Sequence, residues 1–216
     1  SITGAAITAI KIDGVLHEFS TIPGVKEDTT EIILNLREVF VKREDIDPNS
    51  ENGLHPLTLK IEAKGPGLVT AADIQAPPEC EVVNPEAYIC ELADAKSSLS
   101  MEMTVETGKG YVLPDRQQNY KPTIGVIPVG SVFTPVRVVN YRVESTRVGH
   151  QTDFERLILE GTTNGTVGPR EAVSQAARIL DKHLRLFFDF NKRGGADLDA
   201  GADDGALGVG PPDARI

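Results

Sequence analysis

Four histidines, two cysteines and a single Gly-Lys step are the features of this 216-residue chain whose types could carry metal, redox or phosphate chemistry. His17, His55, His150 and His183 hold no helix-face metal spacing and no HExxH run, so each reads as a surface or satisfied histidine. Cys80 and Cys90 lack a CxxC partner spacing and read as two reduced structural thiols. Gly108-Lys109 resembles part of a phosphate loop, but that loop needs a glycine five residues before the Gly-Lys and a hydroxyl after it; Met103 and Gly110 stand there. In Gly65-Pro66-Gly67 the proline removes an amide that a phosphate cradle would use, which leaves a turn. Asn164-Gly165-Thr166 has the form of a glycosylation acceptor, yet with no secretory leader read at the start it is taken as a tight turn. No GxSxG elbow occurs, and acidic residues without a pocket nominate no catalytic pair. The expectation is no catalytic residue, no metal site and no cofactor bound by this chain.

The balance of charge narrows the partners. Lys plus Arg number 22 against 32 Asp plus Glu, a formal net charge of −10. Extensive direct binding of nucleic acid calls for a basic excess instead. No apolar run approaches the ~18 residues of a membrane span, so no membrane partner is expected. Ser1-Ile2-Thr3-Gly4 lacks the basic-then-apolar order of a signal peptide, and Ser1 in place of an initiator Met is consistent with a fragment.

The elements that would position any site follow from periodicity. Ala5 to Ile12 reads as a strand closed by Asp13-Gly14, and Val15 to Phe19 as a second short extended piece broken by Pro23-Gly24. Lys26 to Lys42 is expected to be a helix, acidic in its first turn, with Ile32, Ile33, Leu36, Val39 and Phe40 on one face. A Pro/Asn/Gly-rich loop follows from Glu44 to Pro56. Leu57-Leu59-Ile61 alternates with polar residues as a half-buried strand; Leu99-Met101-Met103-Val105, closed by Gly108 and Gly110, is the cleanest period-two strand; Val139-Tyr141-Val143 alternates in the same way, and Phe154 to Thr163 adds another strand. Pro169 suits a first helical position, and Val173, Ala176, Ala177, Leu180, Leu184 and Phe187 then form an apolar stripe, widened by Phe188. Such a stripe packs on its own sheet or on a partner. From Asn191 to Ile216 glycine and aspartate dominate, as in a flexible acidic tail. Strands in consecutive groups argue for an α+β fold with antiparallel sheets.

Longer words in the sequence carry more than its periodicity. The run Ile12 to Asp28, IDGVLHEFSTIPGVKED, continued by Glu31 to Arg37, resembles a signature of the bacterial-type RNA polymerase alpha-subunit family, amino-terminal domain. Gly67 to Ile74, Thr107 to Tyr111, Phe133 to Arg137, Tyr141 to Val148 and Thr163 to Thr166 resemble it in the same order, over about residues 1 to 190. The resemblance implies a two-lobed α+β domain. Residues 1–3 and 135–190 would belong to a dimerisation lobe, residues 4–134 to a lobe inserted within it, and residues 191–216 to a linker. It implies a homodimer formed through Val173, Ala176, Ala177, Leu180, Leu184 and Phe187, and a surface at His17, Glu18, Phe19, Gly24, Glu27 and Asp28 for the large beta and beta-prime subunits. DNA would be met only through the assembled enzyme, a nucleotidyltransferase whose chemistry lies elsewhere. The family's opening segment of about fifty residues, with a strand and a helix, and its carboxy-terminal DNA-binding domain are not in the sequence, and Gly168 replaces the aspartate many relatives place before the helix-starting proline. Ile124 to Val129 and Pro135 to Tyr141 look most like cyanobacterial relatives, with plastid copies next, so a bacterial cytoplasm is expected and a plastid is the alternative. The rival readings are a stand-alone enzyme using acidic groups and a free adaptor without polymerase partners.

Overall fold

A computed structural model describes residues 1–44, 55–117, 123–148 and 151–188. His150, most of the expected loop 44–56 and the whole tail 191–216 lie outside the described residues. In chain order the elements are β1 (Thr3–Ile12), α1 (Thr29–Leu36), β2 (Val41–Arg43), β3 (Leu57–Lys64), β4 (Gly67–Thr70), β5 (Ile74–Gln75), β6 (Cys80–Val82) and β7 (Tyr88–Leu92). They continue with β8 (Ser98–Lys109), β9 (Tyr111–Val112), β10 (Val126–Pro128), β11 (Ser131–Val132), β12 (Val136–Val148), β13 (Gln151–Thr163) and α2 (Pro169–Phe188). The fold is α+β, and every strand pairing is antiparallel.

The main sheet runs β10-β1-β8-β3-β5. Its centre is β8, whose alternation puts Leu99, Met101, Met103 and Val105 on the buried side. Register places Ile10 and Leu59 on either side of Met103, and Ile12 and Ile61 on either side of Met101. All of these side chains are buried, and they join Ile32 and Leu36 of α1 and Ile89 and Leu92 of β7 in one core. The opposite face of the sheet is a charged ladder in which Lys60 meets Glu102 at 2.9 Å beside Lys11. A bulge between Ile7 and Ala9 breaks the alternation of β1 and turns Thr8 inward, where its hydroxyl donates to Glu106 at 2.6 Å.

Three expectations are corrected. Val15 to Phe19 is a turn and not a strand: Val15 is tied by its amide to the Ile12 carbonyl, and Ser20 to His17. The first helix is Thr29–Leu36, not Lys26 to Lys42. Its start is set by Asp28, which accepts from the Glu31 amide at 2.8 Å while Glu31 accepts from the Asp28 amide, a reciprocal cap. Upstream, the Lys26 amide is taken by the Glu91 carbonyl. Downstream, the Asn84 side chain accepts from the Phe40 amide at 2.7 Å and donates to the Glu38 carbonyl at 2.7 Å, after which Val41 pairs with Val82 of β6. The apolar period survives, because Val39 and Val41 are buried, but tertiary pairing draws them into a turn and a strand. Third, Gly108 lies inside β8 and does not end it; an added Cβ would press on the Phe133 ring.

Strands β12 and β13 pair with each other alone among the described strands. The ribbon is amphipathic: Val139, Tyr141 and Val143 share one face with Leu157 and Leu159, while Arg142 on the other face pairs with Glu144 and Glu160 at 3.0 and 3.2 Å. Residues on both faces are exposed; Tyr141 is 74% and Leu157 65% exposed.

The chain forms two compact units, Ser1–Ala176 and Ala177 onward, the division falling inside α2. In the first, Pro169 opens the helix as expected and Ala172 is buried. In the second, Arg185 pairs with Asp181 at 2.8 Å, and the ring of His183 approaches the Ile179 carbonyl at 2.7 Å.

Two substitutions test this order of importance by urea denaturation of the chain. Leu59→Ala, which empties a fully buried site beside Met103, is expected to lower stability by about 2–5 kcal/mol. Asp28→Ala, which removes the helix cap, is expected to lower it by about 1 kcal/mol.

Candidate functional site

The segment from Asp13 to Asp28 is a long connection held at both ends and along its base. Val15 and Ile22 are buried and anchor it. Between them Leu16, His17, Glu18 and Phe19 point outward, with Leu16 68% and Phe19 77% exposed. The first turn of α1 supports this tip: Thr29 donates its hydroxyl to the Ser20 carbonyl at 2.7 Å, and Thr30 to the Glu18 carbonyl at 2.8 Å. The His17 and Phe19 rings lie 6.5 Å apart, tilted.

The other half of the segment is bound into the fold. Gly24 adopts a φ of 77°, its carbonyl accepts from the Ala93 amide, and an added Cβ would overlap the Ser97 hydroxyl. Glu27 accepts hydrogen bonds from the Tyr88 hydroxyl and, at 2.9 Å, from the Glu91 amide; Lys26 pairs with Glu91 at 3.1 Å. Burial pushes the Glu27 pKa up, but the bonds from Tyr88 and the backbone amides outweigh it, with a smaller contribution from the Lys26 charge. The carboxyl therefore lies below the ordinary glutamate value. Tyr88 is raised by burial first and then by its bond to Glu27.

The six residues singled out in this segment thus divide. His17, Glu18 and Phe19 form an exposed tip, whereas Gly24, Glu27 and Asp28 fasten the segment to β7, to the turn before β8 and to α1. A shallow cleft of about 360 Å³ runs between Leu16, His17 and Glu18 on one side and the residues from Thr123 to Pro128 on the other. Ile124, at its rim, is 87% exposed. Sequence reasoning passed over Leu16 and Ile124. The signal available was an apolar residue next to a glycine or histidine in a segment without a strand's alternation.

The second set of candidate residues lies on α2. Val173, Leu180, Leu184 and Phe187 are 53%, 60%, 43% and 76% exposed, and Ala176 and Ala177 are exposed between them. The ribbon face of Val139, Tyr141, Val143, Leu157 and Leu159 is a further exposed apolar surface. Cys90 is buried, and its thiol is pushed up to about 12, chiefly by burial, which makes it an inert structural group.

The family model for the RNA polymerase Rpb3/RpoA insert domain matches residues 10–134. The chain belongs to the bacterial-type RNA polymerase alpha-subunit family. Among individual relatives, the DNA-directed RNA polymerase subunit alpha of Carboxydothermus hydrogenoformans is 51% identical over 193 residues, which is 89% of this chain and 59% of that protein. The subunit of the same name from Alkaliphilus metalliredigens is 51% identical over 187 residues, 87% of this chain and 56% of that protein. The one from Moorella thermoacetica is 48% identical over 193 residues, with 89% and 59% covered. The chain therefore spans less than three-fifths of the length of these alpha subunits. The insert-domain match contains the exposed tip, the cleft and the main sheet except for the start of β1 before Ile10; the ribbon and α2 lie beyond it. No described helix is long and apolar enough to cross a membrane.

The Glu27 contacts give a pH signature. A carboxyl whose folded pKa is depressed contributes its full stabilisation above its unfolded value, near 4.5, and loses it as pH falls through the folded value. Wild type is expected to exceed Glu27→Gln in thermal midpoint by a constant margin from neutral pH down to about pH 5. That margin should shrink on further acidification. A margin independent of pH across this range would contradict the role given to the Glu27 charge.

Proposed function

We propose that the chain is an assembly subunit of a DNA-directed RNA polymerase. It pairs with a second copy of itself and holds the beta and beta-prime subunits, in a bacterial cytoplasm, without contributing a catalytic group, metal or cofactor. DNA is met only through the assembled enzyme, and no membrane is involved. Residues 4–134 act as the inserted lobe, residues 1–3 and 135–190 as part of the dimerisation lobe, and 191–216 as a linker. The observation that carries this reading is the pair of exposed apolar surfaces on a chain of this family: the α2 stripe and the His17–Phe19 tip with Ile124 at its cleft. Contiguous exposed apolar area on a charged protein marks places where other chains sit.

Each surface has its own task. Val173, Ala176, Ala177, Leu180, Leu184 and Phe187 form the dimer contact: alanines in the middle of the stripe let a second helix approach, and the larger side chains bury area at its ends. His17, Glu18 and Phe19 touch a large subunit, while Gly24, Glu27 and Asp28 keep them in place.

The test uses the complete reading frame co-expressed with beta and beta-prime. Leu180→Glu would bury one carboxylate per copy, two in a symmetric dimer, each costing several kcal/mol. It is expected to give a monomer in analytical ultracentrifugation and no recovered core enzyme. Phe19→Asp is expected to leave the dimer intact and to reduce recovery of the large subunits. A Leu180→Glu chain that remains dimeric would overturn the dimer assignment, and full recovery of beta and beta-prime by Phe19→Asp would overturn that of the tip.

A further inference from the structure

The β12–β13 ribbon is rooted at one corner of the body, and Val138, Val139, Tyr141, Val143, Phe154, Leu157 and Leu159 along it are exposed. From Val138 to Thr146 it extends roughly 27 Å at the usual rise per residue. Over that length a 10° tilt at the root moves the far end by about 5 Å, so whatever fixes the root fixes where the ribbon's apolar face is presented.

The root has an irregular feature. Val136 pairs with Thr163 and Val138 with Thr162, which leaves Arg137 as the extra residue of a bulge. A bulge releases a residue from the ladder and re-aims its side chain. The Arg137 guanidinium lies over the Phe40 ring, 4.6 Å from its centroid, and its Nη2 stands 3.5 Å from the Glu38 carboxylate. The receiving corner is stiff. Asn84 holds the Glu38–Phe40 turn by two hydrogen bonds of 2.7 Å, and the Val83 amide donates to the Phe40 carbonyl at 2.9 Å. The turn that follows β13 reaches the same corner: Gly165 comes so near Val83 that an added Cβ would stand 2.9 Å from its Cγ1. The two roots are tied together where the Asn164 amide donates to the Pro135 carbonyl.

We propose that Arg137 is the positioning residue of the ribbon: released from the ladder by its bulge, it grips Phe40 and Glu38 and, opposite the Gly165–Val83 contact, sets the angle at which the ribbon leaves the body. A guanidinium suits this task, because its plane stacks on the ring while its edge reaches the carboxylate; an ammonium offers only a point charge.

The test reads geometry. Spin labels are placed on the 216-residue chain at Ser145→Cys on the ribbon and Asp13→Cys on the body, diluted with unlabelled chain so that only distances within one molecule are measured. Cys80 and Cys90 stay in place, since both are buried. The unsubstituted Arg137 chain is expected to give a single narrow distance distribution. Arg137→Ala should at least double its width with an unchanged circular dichroism spectrum, and Arg137→Lys should fall between. Phe40→Leu, which keeps the apolar bulk and removes the ring, should broaden the distribution in the same way, and it decides the matter if Arg137→Ala does not fold. An unchanged width in Phe40→Leu, or in a folded Arg137→Ala, overturns the proposal. The measurement reads the chain by itself, so its outcome is separate from that of the assembly role.

Discussion

The pairing of β1 and β3 with the two edges of β8 is the constraint from which the rest of the body follows. These strands are far apart in sequence, and their register is fixed because a slip of one residue would move Met101 and Met103 out of the core and Glu102 into it. Once Ile10, Leu59 and Met103 are aligned, the sheet offers an apolar face that α1 and β7 must cover. The connection between β1 and α1 is then obliged to run over the surface and back, which is why it needs Val15 and Ile22 as anchors and why its middle is left outside.

The ribbon obeys a different constraint. A two-stranded antiparallel ribbon is marginal by itself. Its ion pairs at Arg142 are exposed and add ~0–1 kcal/mol each. Full burial of a valine, leucine or tyrosine contributes more, about 1.5–3 kcal/mol for an aliphatic side chain of this size. The free energy available at Val139, Tyr141, Val143, Leu157 and Leu159 is therefore not released within the described chain. Within the described residues the body therefore satisfies its own apolar surface, and the ribbon does not.

The sequence was legible where local pattern and tertiary role agree. Strands β3 and β8 follow their alternation because one face is buried and the other charged, and α2 begins at Pro169 because that residue lacks only an amide the helix does not use there. Reading failed where a distant partner decides. Nothing near Val39 or Phe40 says that Asn84, more than forty residues on, will take the backbone away from a helix. The short strands β4, β5, β6, β9 and β11 exist because a neighbour is in place, and two to four residues carry no period of their own. The ribbon strands were legible from alternation too, but alternation gives two faces and not which of them is covered.

The candidate surfaces were legible mainly through resemblance, which marks a segment as a whole and does not separate the residues that present from those that hold. Physical chemistry makes that separation. Glu27, with a tyrosine hydroxyl and a backbone amide both donating to it, would lose those bonds on turning toward a partner, and Asp28 and Gly24 are equally committed by a helix cap and a positive φ. Phe19 and Ile124 lose nothing by being covered and release the water that now surrounds them. Change in the first group acts on the shape of the tip; change in the second acts on the apolar surface that the tip presents. A tip of a few exposed apolar residues can therefore be specific, because its geometry is fixed by side chains that never leave the fold.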